Sequence, residues 1–395
     1  MGALTPIDEV KTMEKSFRKL LLKAEEQLSP FAARSDRSLG RLRKMERDPF
    51  RLEFARDENR ILHSPPFRRL KHKTQVFMAP NNDHICTRME HVLHVSSVAM
   101  VMGSCLGLNL DLISAIAKGH DLGHAPFGHA GEFALDKVLK GYAKEASFMH
   151  EIHGLRVVDC LTNYGHGLNL TFEVRDGIVS HCGESFEQEI RPDRNKGPAQ
   201  LKIKKDRAGY PATLEGCLVR MADKVAYLGR DLEDAFEAKV INRNELPAEI
   251  KEGLGDSNGK IIGRLVNDIV MNSVERDAIC LSKEAFLLMR RLKEFNYEHI
   301  YHAMNYADRT GYIIESLFNE LIDILIRSHG GREKREKERL IRNAATLGVF
   351  FDFIKNINYT NETEDYEIVR DYIAGMTDNF ALRTFNELFM PRSVV

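Results

Sequence analysis

Apolar residues recur every three or four positions along most of this 395-residue chain, whereas runs that alternate in the manner of a β-strand are few. Leu, Ala, Ile, Glu, Lys and Arg are abundant, and most of these residues favour helices. The pattern predicts helices, the clearest of which span Ile7–Leu28, Ile85–Leu106, Leu112–Asp121, Glu132–Leu139, Phe148–Asn163, Phe172–His181 and Leu214–Ala238. The remainder of the chain continues in the same way, so we expect an all-α fold.

Two segments interrupt the helical pattern. Arg34–Arg51 is basic and irregular, and it is either a solvated arm or an arm that binds anions or contacts another subunit. Arg191–Pro211 mixes prolines and glycines with lysines and arginines, which predicts an exposed charged loop. Within it, the run Lys202–Arg207 could lie in solvent or cover a pocket. Neither segment is a linker between independent domains. The expected organisation is an N-terminal helix and basic arm over 1–50, a helical core that carries the chemistry over 51–240, and a C-terminal helical region packed on it over 241–395.

Composition and charge limit the class of protein. Apolar residues make up 43% of the chain, and the net charge is −1, so any site for an anion must be local. No apolar run approaches the length that spans a bilayer, and Met1–Lys23 lacks the apolar centre of a secretory signal. We therefore expect a cytoplasmic protein without a membrane partner. Its six scattered cysteines, which form no C-x-x-C pair, are expected to be reduced thiols: Cys86, Cys105, Cys160, Cys182, Cys217 and Cys280.

Candidate chemistry centres on a His-Asp dipeptide at the end of a predicted apolar helix. Burying His120 and Asp121 there is costly without a partner, and a divalent cation would neutralise the carboxylate and use the imidazole lone pair. With His91 and Asp223, the pair forms a mixed nitrogen and oxygen ligand set. Such a set suits Mn, Fe, Co, Ni, Zn or a tolerant Mg site. The alternative is that each histidine is an ordinary core or surface residue.

The segment His120–Glu132 reads HDLGHAPFGHAGE, which places three histidines and two carboxylates within thirteen residues. Its glycines and its proline allow the backbone to approach a ligand closely. His129 and Glu132 are three residues apart at a predicted helix start. That spacing permits a carboxylate to orient an imidazole that moves a proton at neutral pH.

Longer segments resemble the dGTPase-like triphosphohydrolases of the HD superfamily. They occur in the family's order and cover most of the chain: ILHSPPFRRLKHKTQVF, TRMEHVLHV, HDLGHAPFGHAGE, LNLTFEVRDGIVSH, MADKVAYLGRDLEDA and DYIAGMTD. The resemblance implies an all-helical HD core with additional C-terminal helices. It also implies hydrolysis of a deoxynucleoside triphosphate at the α-phosphate, which yields the deoxynucleoside and inorganic triphosphate.

The resemblance assigns roles to residues by position. It implies a divalent metal, Mn or Mg with Fe, Co, Ni or Zn as alternatives, held by His91, His120, Asp121 and Asp223. It implies a catalytic dyad of His129 and Glu132, with His124 at the α-phosphate or its leaving oxygen. The implied substrate-binding residues are Gln75, Arg88, Tyr227 and Asp231. One departure is His94, where many members have a carboxylate, which leaves metal preference and pH optimum open.

Several alternatives stay open at this point. Gln75 could be a surface amide, Arg88 a surface arginine and Tyr227 an ordinary half-buried tyrosine. The chain could instead be an HD-type 5′-nucleotidase that acts on monophosphates. It could also bind nucleotides or single-stranded nucleic acid with little turnover, although a binding protein has no need of a proton-transfer pair. From the family alone we expect a homo-oligomer, a tetramer or hexamer, and the need for a nucleotide activator stays open. The sequence does not indicate which base of the nucleotide is preferred.

Overall fold

A computed structural model of the chain describes residues 6–77, 85–182, 187–202, 209–301, 307–328, 341, 344–357 and 359–391. These residues contain seventeen α-helices and one two-stranded sheet, which confirms the expected all-α class. The first eight helices are α1 (Pro6–Glu25), α2 (Glu53–Leu62), α3 (Pro65–Arg69), α4 (Arg88–Cys105), α5 (Leu110–Gly119), α6 (Gly128–Tyr142), α7 (His150–Arg156) and α8 (Phe172–Ser180).

The second half of the chain supplies the other helices and the small sheet. The helices are α9 (Pro198–Lys202), α10 (Leu214–Glu237), α11 (Ala248–Gly253), α12 (Asn258–Ser273), α13 (Lys283–Asn296), α14 (Ala307–Ser328), α15 (Ala345–Asn356), α16 (Asp365–Ala374) and α17 (Asp378–Phe389). Strands β1 (Glu189–Ile190) and β2 (Ile279–Cys280) pair antiparallel, with Glu189 opposite Cys280. Within the predicted charged loop, α9 is ordered, and residues 203–208, which include most of the cationic run Lys202–Arg207, lie outside the described residues.

Helix α5 occupies the centre of the larger apolar cluster. Its residues Leu112–Ala117 are all buried, because α2, α4, α8 and α10 pack around it. Asn109 caps the helix by accepting a hydrogen bond from the backbone N–H of Leu112 at 3.2 Å. A helix enclosed in this way ends inside the protein, and the two residues that follow it, His120 and Asp121, are therefore buried.

A second apolar cluster is built from α6, α14, α15, α16 and α17. Helix α6 packs against α14 and α16, so the segment that follows the His-Asp pair is anchored in this cluster. Ala125 and Phe127, from the loop between α5 and α6, are buried in it. The loop that carries the candidate chemistry thus begins in one cluster and ends in the other. Across the described ranges, no helix is both long enough and apolar enough to traverse a bilayer.

The loop after the His-Asp pair passes very close to α7 at Gly123. A Cβ atom placed on Gly123 would lie 2.0 Å from the carbonyl oxygen of His150 and 2.2 Å from the backbone nitrogen of Gly154. These neighbours are backbone atoms, so they cannot move aside as a flexible side chain can. Glycine at this position lets α7 contact the loop directly.

We predict that Gly123→Ala lowers the free energy of unfolding by about 1–3 kcal/mol, because the methyl group must push α7 away from the loop. Urea unfolding measures the change. Gly141→Ala is the matched control, since Gly141 is exposed near the end of α6 and a Cβ there meets no atom within 4 Å. The control should be neutral or more stable by about 0.5–1 kcal/mol. Equal stability of the two variants would contradict the close contact.

Candidate metal centre and active site

Four side chains from three helical regions converge on one buried point. His91 lies on α4, His120 and Asp121 follow α5, and Asp223 lies on α10. His91 Nε2 is 3.0 Å from Asp223 Oδ1 and 3.9 Å from Asp121 Oδ2. His120 Nε2 is 3.4 Å from Asp121 Oδ1 and 3.8 Å from Asp223 Oδ1. The structure therefore brings together the four residues that the sequence nominated as metal ligands.

The orientation of His120 shows that this cluster fits a cation. Its Nδ1 lies 2.7 Å from the carbonyl oxygen of Ala117, which can only accept, so Nδ1 carries the proton. The lone pair on Nε2 then points toward the carboxylates, and this buried atom has no hydrogen-bond partner. A lone pair facing carboxylate oxygens is unfavourable unless a positive ion lies between them. The chemistry of the donor atoms thus matches a divalent metal.

Both carboxylates remain ionised at this site. Burial acts to raise the pKa of Asp121, but His120 and His124, together with Arg88, outweigh it and hold that pKa well below its ordinary value. Burial also acts to raise the pKa of Asp223, and neighbouring histidines, His91 first, lower it to about 2. Ionised carboxylates are the form that binds metal.

Arg88 is the third charged component of the cluster. It begins α4 and is only 2% exposed, with one terminal nitrogen 2.8 Å from Asp121 Oδ2. Its Nε and its other terminal nitrogen are buried without a hydrogen-bond partner. Buried guanidinium donors that lack acceptors are costly, and they match an anion that accepts more than one hydrogen bond. The phosphate-binding role of Arg88 stays a prediction, and its unpartnered buried donors support that role.

Glu132 connects the loop and α6 to two histidines. Its Oε1 accepts a hydrogen bond from the backbone N–H of His150, and both carboxylate oxygens lie 3.0 Å from His150 Nδ1. The His150 ring stacks on His124 with 3.7 Å between centroids. His124 Nε2 in turn lies 3.1 Å from Asp121 Oδ1. Glu132 is therefore joined to the candidate metal ligands through stacked imidazoles.

His129 occupies a different position from the other histidines. Its side chain is 78% exposed, and its Nδ1 is 3.6 Å from Glu132 Oε2. Glu132 is thus hydrogen-bonded mainly by His150, while His129 lies at the solvent side of the same carboxylate. The dyad of His129 and Glu132 expected from the sequence stays a prediction, and the structure adds His150 as a second partner.

The expected substrate-binding residues Gln75, Tyr227 and Asp231 lie on two segments. Gln75 is half-buried before α4, and its Oε1 has no hydrogen-bond partner. Tyr227 and Asp231 follow Asp223 at intervals of four residues along α10, as the spacing predicted. Asp231 Oδ2 accepts a hydrogen bond from the Tyr301 hydroxyl at 2.5 Å, and burial raises the pKa of Asp231 to about 7. Both Gln75 and Asp231 thus retain a buried oxygen without a partner.

Comparisons with known proteins match two regions of the chain to family profiles and most of its length to curated relatives. The HD domain profile matches residues 88–228, and the profile of the phosphohydrolase-associated domain matches residues 279–387. A deoxyguanosinetriphosphate triphosphohydrolase-like protein of Caldanaerobacter subterraneus subsp. tengcongensis is 38% identical, over 92% of this chain and 93% of its own length. Proteins with the same description from Desulfatibacillum aliphaticivorans (36%, 93% and 96%) and Clostridium tetani (32%, 93% and 94%) are also similar.

The chain belongs to the dGTPase-like family of HD-domain phosphohydrolases. This confirms the family resemblance, and it makes the chain a hydrolase. The departure at His94 lies on α4, where this half-buried imidazole has its pKa lowered by burial and then by Arg230 and His91. Metal preference and pH optimum therefore stay open at this position.

Four residues border the candidate site although no sequence spacing pointed to them: Lys73, His150, His181 and Asp378. The sequence contained one indication that His181 lies near the site. It ends a family-like segment and directly follows a helix, as His120 does, and the two rings lie 4.9 Å apart. His150 has no such signal, because its link to Glu132 depends on the packing of α7 against the loop.

Asp378 and Lys73 fix the loop to the C-terminal helices. One carboxylate oxygen of Asp378 accepts from the backbone N–H of Thr74 at 2.9 Å and from its hydroxyl. The other accepts from the backbone N–H of Phe127 at 2.9 Å, where the backbone is left-handed with φ 65°. Lys73 Nζ donates to the carbonyl oxygens of His124 and Ala374. These contacts hold the loop and the segment before α4 in one geometry.

We predict that Asp378→Ala destabilises the protein by several kcal/mol, because each buried N–H left without an acceptor costs about 1–3 kcal/mol. Chemical denaturation measures the loss. The control Asp352→Ala removes an exposed carboxylate of α15 and should stay within about 0.5 kcal/mol of the wild type. An Asp378 variant as stable as the Asp352 variant would show that the carboxylate does not clamp the loop.

Proposed function

We propose that this chain hydrolyses deoxynucleoside triphosphates at the α-phosphate and releases the deoxynucleoside and inorganic triphosphate. The observation that carries the proposal is the juxtaposition of a buried cation-binding cluster with the unpartnered donors of Arg88. A phosphoryl group can contact both at once. Membership of the dGTPase-like family, whose similar members are described as deoxyguanosinetriphosphate triphosphohydrolase-like, supports the choice of substrate.

In this proposal His91, His120, Asp121 and Asp223 hold a divalent cation, Mn or Mg in the first instance. The chemistry that such an ion supplies when bound is Lewis-acid polarisation of the phosphoryl group. The chemistry is assigned to residues 51–240, and residues 241–395 support the loop through Asp378 and α14.

The protein's own groups position the triphosphate. Arg88 donates from Nε and its free terminal nitrogen to phosphoryl oxygens, and its ion pair with Asp121 fixes the direction of the guanidinium plane. Gln75 and Asp231, each with a buried oxygen that has no partner, are placed to accept hydrogen bonds from the sugar or base. Because these donors and acceptors are already oriented, little reorganisation is needed when charge develops at the α-phosphate.

Proton transfer is assigned to the groups around Glu132. A water oxygen attacks the α-phosphorus and loses a proton to solvent, while the bond from phosphorus to the 5′-oxygen breaks. That oxygen takes up a proton from a donor side chain, which solvent then reprotonates. His129 is the proposed donor, since its side chain is 78% exposed and its Nδ1 faces Glu132 Oε2 at 3.6 Å. His124, between Asp121 and the stacked His150, is proposed to contact the α-phosphate or the leaving oxygen.

We predict that purified protein with Mn²⁺ converts at least one of the four dNTPs to deoxynucleoside and triphosphate. Asp121→Asn should reduce turnover by on the order of 10³-fold or more, because several kcal/mol of transition-state stabilisation are lost. Asp352→Asn should retain full activity. Chromatography of the products measures both, with each dNTP tested singly and mixed and with a chelator as the metal-free control.

Other outcomes of this assay are equally informative. Turnover only in the mixture would indicate a nucleotide activator. When deoxynucleoside monophosphates are added as further substrates, release of phosphate from them alone would indicate the 5′-nucleotidase alternative. Nucleotide binding without turnover under any metal would contradict the proposed hydrolysis and favour a binding role.

We predict that His129→Ala lowers kcat by about 10²–10⁴-fold, the usual contribution of a positioned general acid. Its unfolding free energy should change by less than about 0.5 kcal/mol, because the side chain is exposed. His166→Ala, which removes another exposed histidine, should change neither quantity. Steady-state kinetics measure kcat, and urea unfolding measures the free energy of unfolding, for both variants. Unchanged kcat in His129→Ala would rule out His129 as the donor and leave His150 as the partner of Glu132.

A further inference from the structure

A second group of ligand atoms lies beside the candidate metal centre and includes a cysteine. Cys182 Sγ is 3.2 Å from His150 Nε2 and 3.2 Å from His181 Nε2. The two Nε2 atoms are 3.3 Å apart. Both histidines are buried, and Cys182, directly after His181, is half-buried. Three atoms that commonly bind metals therefore face one another in a compact triangle.

Each histidine of this triangle also makes a hydrogen bond through its other ring nitrogen, Nδ1. His181 Nδ1 lies 2.6 Å from the carbonyl oxygen of Ile178, and His150 Nδ1 lies 3.0 Å from the Glu132 carboxylate. Since both partners are acceptors, both Nδ1 atoms carry a proton. The Nε2 atoms of His150 and His181 and the sulfur of Cys182 therefore face one another within 3.3 Å. Three atoms that can each offer a lone pair make favourable contacts at these distances only with protons or a cation between them.

We infer that His150, His181 and Cys182 form a second cation site, for a thiophilic divalent ion of the zinc class. One ion would bind all three lone pairs, and the thiol proton would pass to solvent. Two imidazole nitrogens bound to a tetrahedral zinc ion lie about 3.3 Å apart, given bonds of about 2.0–2.1 Å. The Glu132 carboxylate behind His150 matches the orienting partner that metal-bound histidines commonly have.

The two sites differ in the ions they select. The cluster of His91, His120, Asp121 and Asp223 offers no sulfur, whereas the second set offers a thiolate and no carboxylate among its three ligands. His181 borders both, because its ligand nitrogen also lies within 4.8 Å of those of His120 and Asp223. An ion at the second site would occupy His150 Nε2, next to the carboxylate assigned to proton transfer. The inference does not depend on which nucleotide is hydrolysed.

Cobalt titration tests this inference on the full-length protein. Chelator-treated protein is titrated with Co²⁺ under anaerobic, reducing conditions, and bound cobalt is counted by equilibrium dialysis. Thiolate-to-cobalt charge-transfer absorption in the near ultraviolet reports a sulfur ligand. We expect two cobalt ions per chain with this absorption in the wild type, and one ion without it in Cys182→Ser.

Two further variants separate the sites. Cys105→Ser removes an exposed cysteine at the end of α4 and should keep both ions and the absorption. Asp121→Asn should weaken the nitrogen and oxygen site and keep the absorption. Circular dichroism checks folding, and Cys182→Ala replaces the serine variant if that one fails to fold. Absence of the absorption in the wild type, its persistence in both Cys182 variants, or a single ion per chain that requires Cys182 would each overturn the inference. None of these results depends on nucleotide turnover.

Discussion

Two ionised carboxylates, two imidazoles and a guanidinium lie together where α5 ends, all of them buried except the half-buried Asp223, and the surrounding structure compensates these charges. Asp121 contacts Arg88 at 2.8 Å, and Asp223 contacts His91 at 3.0 Å. Two ionised carboxylates against one guanidinium leave negative charge for the histidines or a cation to compensate. A divalent cation would compensate it, and it would also give the unpartnered Nε2 of His120 a partner.

The C-terminal helices stabilise the loop between α5 and α6, which carries the part of the candidate site that follows Asp121. The loop after Asp121 leaves the larger apolar cluster and enters the second one at Phe127. Asp378 and Lys73 fix its backbone, and Gly123 allows α7 to lie against it. Through this contact His150 reaches Glu132. The C-terminal layer therefore acts on the candidate chemistry through backbone hydrogen bonds and supplies none of the four candidate metal ligands.

Features with local causes could be predicted from the sequence. Helix positions followed from apolar spacing, and the expected helix Leu112–Asp121 corresponds to α5 at Leu110–Gly119. The four candidate ligands could be nominated because they lie in segments with a family resemblance, and the structure brings these four residues together. Partners distant in sequence could not be predicted this way. Asp378 accepts from Phe127 across 251 residues, and no periodicity carries that information. His150 lies 18 residues from Glu132, in a helix whose placement depends on the close packing at Gly123. Spacing favoured His129 as the partner of Glu132, and tertiary packing added His150.

Anomalous X-ray diffraction from crystals of the protein grown with Mn²⁺ would locate the bound ion directly. We predict an anomalous peak at the point bounded by Nε2 of His91 and His120 and by the carboxylates of Asp121 and Asp223. That peak should disappear in Asp121→Asn crystals grown in the same way. Manganese bound only elsewhere, or an Asp121 variant that keeps the peak at full strength, would contradict the central role given to these four ligands.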